Sequence, residues 1–245
     1  MDLTKLSVEP IFLLVAGILA LLALVTVLLK KLTVSAACGA WLLGIVVAMG
    51  ANLTGLALLG TFFLLGTLAT AYRKKEKAAI QGQAYTETRN LKQVLANGGV
   101  AGLAAFASLA DYERAGLYQL ILAGSLASAT ADTLSSELGM LFGRKFYNVL
   151  NFRKEPNGLD GAISLEGSLA GFFGTLLIAA VYAVFEGPGL PLLWIILAGN
   201  IGNYIDSLLG ASLQRKKLLN NDVVNLFNTL AAALVIWVLV SIAAG

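Results

Sequence analysis

The sequence predicts an all-α fold, a polytopic membrane helical bundle of about eight transmembrane helices with both termini on the non-cytoplasmic side. Three observations predict it. Of 245 residues, 58% are hydrophobic and only 13% charged, with a mean hydropathy of +0.82; a soluble domain carries about 25% charged residues. Apolar runs of spanning length, about 20 residues each, recur along the chain. The charges also sort by side. With eight spans, the loops on one side hold Lys30, Lys31, Arg73, Lys74, Lys75, Lys77, Arg89, Lys92, Arg144, Lys145, Arg153, Lys154, Arg215, Lys216 and Lys217, which is 15 of the 17 basic residues. Lys5 and Arg114 remain for the other side. The positive-inside rule makes the basic side cytoplasmic, and a seven-span arrangement would break the sorting.

The elements follow in order. Residues 10–29 form the first span; the run is long and lacks a small-residue cleavage motif, so it reads as a retained helix and not a signal peptide. Spans 33–50 and 53–72 require Gly50-Ala51-Asn52-Leu53 to hold a tight turn. The fourth, 94–110, opens near Asn97-Gly98-Gly99. The fifth, 116–139, is apolar from Leu117 to Ala129 and then turns polar. The sixth, 163–185, opens with Ser164-Leu165-Glu166-Gly167-Ser168. The seventh, 190–213, is thinned by Gly199, Gly202 and Gly210, and the eighth is 222–244. The longest loops, 73–93 and 142–162, are both on the basic side. The chain reads as one transmembrane domain, 1–245, with less characteristic helices over 1–72 and a motif-bearing core over 73–245. Its 26 glycines suit close helix packing in lipid and permit a homodimer.

Composition narrows the chemistry. There is no histidine, which removes the commonest general base and zinc ligand. The single cysteine, Cys38, excludes an internal disulfide and a cysteine-based metal site. Carboxylates, Lys and Arg remain, with hard cations such as Mg²⁺.

The most informative stretch is Thr130-Ala131-Asp132-Thr133-Leu134-Ser135-Ser136-Glu137-Leu138-Gly139. An ionised side chain near the bilayer centre costs roughly 2.5–3.5 kcal/mol on insertion scales. Asp132, Ser135, Ser136 and Gly139 are spaced i, i+3, i+4, i+7 and share one helix face, while Glu137 lies off it. In the seventh span Asn200, Asn203, Ser207, Gly210 and Gln214 follow similar spacing, with Asp206 beside them. In the eighth, Asn221, Asn225 and Asn228 form a stripe flanked by Asp222 and Thr229. Each feature has a structural explanation too: Asn and Ser stripes hold helices together, Asp222 and Ser164 suit helix N-caps, and Glu166 suits a helix dipole. Five acids (Asp132, Glu137, Glu166, Asp206 and Asp222) nonetheless gather on one membrane face, as Mg²⁺ coordination or cation translocation would require. Phosphate chemistry would need cations as well, and Arg89, Lys92, Arg144, Lys145, Arg153 and Lys154 lie near the acids. No G-x-x-x-x-G-K-[ST] loop and no protein-kinase motif set occurs in the chain. A turn at Asn97-Gly98-Gly99 would present backbone N–H groups to a phosphate.

Five segments carry a family resemblance: Gln93-Val-Leu-Ala-Asn97-Gly-Gly-Val; Thr130 to Gly139; Gly158-Leu-Asp160-Gly-Ala-Ile-Ser164-Leu-Glu166-Gly; Gly199 to Gln214; and Asn220-Asn221-Asp222-Val-Val-Asn225. In order, they resemble the integral-membrane family that includes the phytyl phosphate kinase of plant and cyanobacterial tocopherol synthesis. Leu134 departs from the pattern, where many relatives carry Trp. Asp132 to Gly143 with Glu166-Gly-Ser-Leu-Ala-Gly171 is more distantly similar to dolichol kinase, and phosphatidate cytidylyltransferase is a further analogue.

The resemblance implies CTP-dependent, Mg²⁺-dependent phosphorylation of a prenyl or phytyl monophosphate to the diphosphate. The expected catalytic residues are Asp132, Glu137, Asp206 and Asp222, with Asp132, Glu137 and Asp206 as metal ligands. Nucleotide and phosphate contacts are expected from Asn97, Gly98, Gly99, Arg89, Lys154, Ser135, Ser136, Ser164, Glu166, Asn203, Asn221 and Asn225. A phosphate nucleophile is already anionic, so no strong base is needed. The expected partners are a prenyl phosphate lipid, a nucleoside triphosphate and membrane lipids, with no nucleic acid. The expected location is a prokaryotic plasma membrane or a plastid-type membrane, with the site facing the cytoplasm. Two alternatives stand beside this: a nucleotidyltransferase acting on a lipid phosphate, and a cation-coupled transporter.

Overall fold

The computed structural model describes residues 10–81 and 88–244; Lys5, which entered the charge sorting, lies outside them. Helices dominate: α1 (Pro10–Leu28), α2 (Val34–Ala71), α3 (Lys74–Gln81), α4 (Leu91–Ala110), α5 (Ala115–Phe142), α6 (Leu165–Glu186), α7 (Leu190–Leu209) and α8 (Asn221–Ala244). Lipid offers no partner to backbone polar groups, so apolar runs of this length become helices. Six of the described helices are long and apolar enough to cross a membrane.

Two elements bring the six to eight crossings. The 38-residue α2 would measure about 57 Å at 1.5 Å per residue, nearly twice the hydrocarbon thickness. It is broken at Asn52, whose φ of 53° and ψ of −151° are not helical. Phe63, from the second arm, packs against Leu32, Ala36 and Ala37 at the start of the first. The two arms therefore fold back on each other, as the tight turn at residues 50–53 requires. The other element is α5, 28 residues long, whose second half is too polar to rank with the six. It is surrounded by α2, α4, α6, α7 and α8. Leu122, Ala123, Leu126, Ala127, Ala129 and Ala131 along it have no exposed surface. A helix sheathed by protein on every side can carry polar groups that a lipid-facing helix cannot. By contrast α1 buries no residue and packs chiefly on α2.

The predicted spans agree with the helices to within a few residues, with one consequential exception. The fourth helix starts at Leu91, not near residue 94, because Asn90 and Gln93 form a reciprocal capping box. Asn97-Gly98-Gly99 therefore lies inside α4, where its N–H groups belong to the helix and are not presented to a ligand. Gly98 serves packing instead: a Cβ there would sit 2.6 Å from Leu43.

The two long loops are also structured. The first contains α3. The second holds a three-stranded antiparallel sheet in the order β2 (Lys154–Glu155), β1 (Phe146–Asn148), β3 (Ala162–Ile163). After α7 the chain continues as a π-helical turn, Gly210–Gln214.

Candidate functional site

At the end of the bundle that carries the sheet, a cavity of about 880 Å³ opens between α4, α5, α6, α7 and α8. Its floor is polar. The stripe read from the sequence of α5 arrives intact, because Asp132, Ser135, Ser136 and Gly139 all line it. The α7 stripe faces it: Ser135 donates to Asn203 Oδ1 at 3.0 Å. Asp206, one turn further along α7, lines the same cavity as Asp132, near enough for the two carboxyls to interact. The α8 stripe supports Asp206 from behind. Asn228 donates to Asp206 Oδ2 at 3.5 Å and is itself held by Ser128. The Asn225 amide, oriented to satisfy both its ends, donates to Asp206 Oδ2 and to Asn221 O, each at 3.2 Å. Asn97 contributes from α4. Its Nδ2 donates to Gln93 O at 2.9 Å, while its buried Oδ1 has no hydrogen-bond partner among the described residues.

The sheet loop closes one wall. Gly161, at φ +69°, lies so close to the π turn that a Cβ would sit 2.4 Å from Ala211 N; both the dihedral and the contact require glycine. Arg215 pins the loop: it donates to Asp160 O at 2.6 Å and to both Glu155 oxygens at 2.7 and 2.5 Å. That bidentate contact draws the Glu155 carboxyl down to about 2 and raises Arg215 above its ordinary value. Asp160 is pushed up by burial, partly offset by Arg215.

Of the residues expected from sequence, Arg89, Asn97, Asp132, Ser135, Ser136, Glu137, Ser164, Asn203, Asp206, Asn221 and Asn225 line this one cavity. Glu137 is already engaged within it. Lys77 Nζ bonds it at 2.5 Å, Thr70 at 3.0 Å. Five expected residues are not in the lining. Gly98 and Gly99 are helix interior. Lys154 is exposed on β2, where strand alternation turns Glu155 toward Arg215 and Lys154 away. Glu166 stands at the rim, 3.9 Å from Arg144. Asp222 occupies the first turn of α8, and the capping oxygen there belongs to Asn220, which accepts from Val223 N at 3.0 Å. Ser164 does cap α6, accepting from Gly167 N at 3.1 Å.

Sequence reasoning missed Lys77, which it read only as a topology charge. The side chain has no exposed surface and also bonds the Ala69 and Thr70 carbonyls at 2.7 and 2.8 Å. A cation is favoured at the carbonyl end of a helix. Asp160, Gln93 and Asn157 were missed as lining residues too. Asp160 had a signal, its place between two glycines in a polar segment.

The carboxyl pair is suited to a magnesium ion. Mg²⁺ is usually held by one or two carboxylates plus substrate phosphates and water. Among the described residues no group of three or more acids, His or Cys forms a closed metal cage. The two carboxyls and the buried Asn97 amide oxygen line one cavity, a donor set that could accept such an ion together with an anionic ligand.

Residues 17–233 match the family described as integral membrane protein DUF92. The chain belongs to that family. Every cavity residue, from Thr70 to Asn225, falls inside the matched region. The chain is 35% identical to the protein named "Protein VTE6, chloroplastic" of Arabidopsis thaliana, over 82% of this chain and 63% of that protein. The match thus spans less than two thirds of the plant protein's length. An uncharacterised membrane protein of Methanocaldococcus jannaschii is 35% identical over 80% of this chain and 81% of its own. One from Synechocystis is 33% identical, over 89% and 87%. No solved structure matches the chain. The segments that carry the polar stripes therefore lie within the DUF92 region of the chain.

Proposed function

We propose that this DUF92 protein is a prenyl phosphate kinase that transfers the terminal phosphoryl group of a nucleoside triphosphate, CTP by family resemblance, to a phytyl-type monophosphate. The observation that carries the reading is the convergence of Asp132 and Asp206 from facing helices in a large polar cavity at the basic end of the bundle. Two carboxyls placed together either share a proton or hold a cation between them, and a polar cavity large enough for a phosphate ligand favours the cation. The motif resemblance and the 35% identity to the chloroplast protein support the lipid substrate.

In this reading an oxygen of the lipid phosphate attacks the terminal phosphorus of the nucleotide. A new P–O bond forms, the bond to the departing nucleoside diphosphate breaks, and no proton need be removed. Asp132 and Asp206 would hold Mg²⁺, which when bound neutralises charge on the transferred group. Arg89 supplies positive charge at the cavity wall, and Asn225 and Asn228 keep Asp206 aimed at the cavity. Catalysis is then positioning and electrostatics, consistent with a chain that has no histidine. The positive-inside rule assigns the cavity to the cytoplasmic side.

The test is a product assay on the purified protein with phytyl monophosphate, Mg²⁺ and each of CTP, ATP, GTP and UTP. Phytyl diphosphate and CDP are the expected products. Pyrophosphate and a CMP-linked lipid would establish a nucleotidyltransferase instead. Asp132→Asn and Asp206→Asn should each lower kcat by about a hundredfold or more, the usual loss for a transition-state charge stabiliser. Full activity in both variants would refute the site.

A further inference from the structure

We propose that a second, apolar cavity holds the hydrocarbon tail of the lipid phosphate, with Arg89 receiving the phosphate where the two cavities meet. The assignment rests on the prenyl phosphate reading above. The cavity has a volume of about 420 Å³ and lies between α1, the two arms of α2 and the start of α4. That is within the ~300–1,000 Å³ of ordinary ligand pockets. Its walls are aliphatic and aromatic, among them Leu19, Leu22, Leu56 and Phe63.

Its polar groups are concentrated at one end. Arg89, Gln93 and Asn97 line this cavity and the polar one alike. Arg89 is fixed between them. Its backbone is paired with Lys31 and Thr33, its guanidinium lies 5.8 Å over the Phe62 ring, and it fills the space that a side chain on Gly66 would need. An apolar chamber with a guanidinium at its mouth, opening onto a carboxyl pair, complements one kind of molecule: a long hydrocarbon ending in a phosphate. The nucleotide then enters from the side of the sheet loop, and the lipid from the groove beneath α1. Because α1 has no buried residue and packs chiefly on α2, the groove lies at the membrane edge of the bundle, where a lipid can enter sideways.

Photolabelling tests this without requiring turnover. Geranylgeranyl phosphate with a diazirine at the far end of its tail is added to the full chain in phosphatidylcholine vesicles and irradiated, and the label is mapped by peptide mass spectrometry. Label on residues 10–28 and 53–63, reduced by excess unlabelled prenyl phosphate, is expected. Label concentrated on α6 and α7, or equal labelling by the corresponding diazirine alcohol, overturns the proposal. Groove labelling without diphosphate formation would refute the kinase reading and leave the lipid phosphate site standing. Diphosphate formation with label elsewhere would do the reverse.

Gly60 gives a second measurement. It lines the apolar cavity, and a Cβ there meets nothing within 4 Å. Gly60→Phe should lower the ratio of kcat/KM for geranylgeranyl phosphate to that for dimethylallyl phosphate by at least about tenfold, the lower end of what one methylene commands in an apolar pocket. An unchanged ratio counts against the tail assignment.

Discussion

Lys77 and Glu137 form the ion pair that most affects how the site is read. Glu137 lies at the edge of the polar cavity, and an assignment from sequence alone makes it a metal ligand. Its partner is a lysine with no exposed surface, tied also to two carbonyls at the end of α2. A buried ion pair adds little over an apolar replacement, but removing one partner strands the other and typically costs about 3–5 kcal/mol. Glu137→Gln should therefore lower the unfolding temperature of the purified protein markedly, and the paired Lys77→Met, Glu137→Leu variant should recover much of the loss. A Glu137→Gln protein of normal stability with abolished activity would return Glu137 to the metal. Asp132 and Asp206 should behave oppositely: relieved of a like-charged neighbour, their Asn variants keep or gain stability while losing activity.

At the scale of elements, the sheet loop and the π turn form one unit, joined by Arg215. Glu155 ionises at about 2 in the folded protein against an ordinary 4.5. Its depressed value stabilises the folded state fully above about pH 4.5 and ceases to do so as pH falls toward 2. Hydrogen exchange at residues 146–163 should therefore accelerate as the medium is acidified through that window, relative to exchange in α5. In Arg215→Gln the loop should exchange fast at neutral pH and lose the acid-dependent step. Equal exchange in both proteins would mean that Arg215 does not hold the loop. The π turn itself follows from packing. Gly161 reaches the backbone at Ala211, and π turns commonly occur where a helix is adjusted around a functional site.

Over the whole molecule, polarity runs from one end of the bundle to the other. The described basic residues other than Arg114 gather with the cavity. The far end is held by Glu186, which accepts from Thr54 at 2.7 Å and Gln119 at 2.9 Å. If the cavity end is cytoplasmic, a Lys216→Cys protein in a Cys38→Ser background reacts with a membrane-impermeant maleimide only in inverted vesicles. Arg114→Cys should react only in right-side-out cells. The opposite pattern would reverse the orientation. Much of this architecture was legible beforehand. Lipid leaves an apolar 20-residue run little choice but a helix, so the spans and the turn at Asn52 could be read directly. The stripes of α5, α7 and α8 were legible for a similar reason, because helical periodicity is local. What could not be read was every contact between segments distant in sequence. Lys77 and Glu137 are 60 positions apart, and Arg215 and Glu155 equally so; nothing in either segment names the other. Capping at Asn90 moved Asn97-Gly98-Gly99 from a helix entrance to a helix interior, a shift of one turn that a hydropathy pattern does not register. By itself, then, the sequence determined that this chain is a helical membrane bundle with a polar face on each of three helices, since both properties follow from local periodicity and solvent. Only the tertiary structure decided that those faces meet, that Asp132 stands against Asp206, and that Arg89 joins a polar cavity to an apolar one, because these depend on how helices far apart in the chain pack around α5.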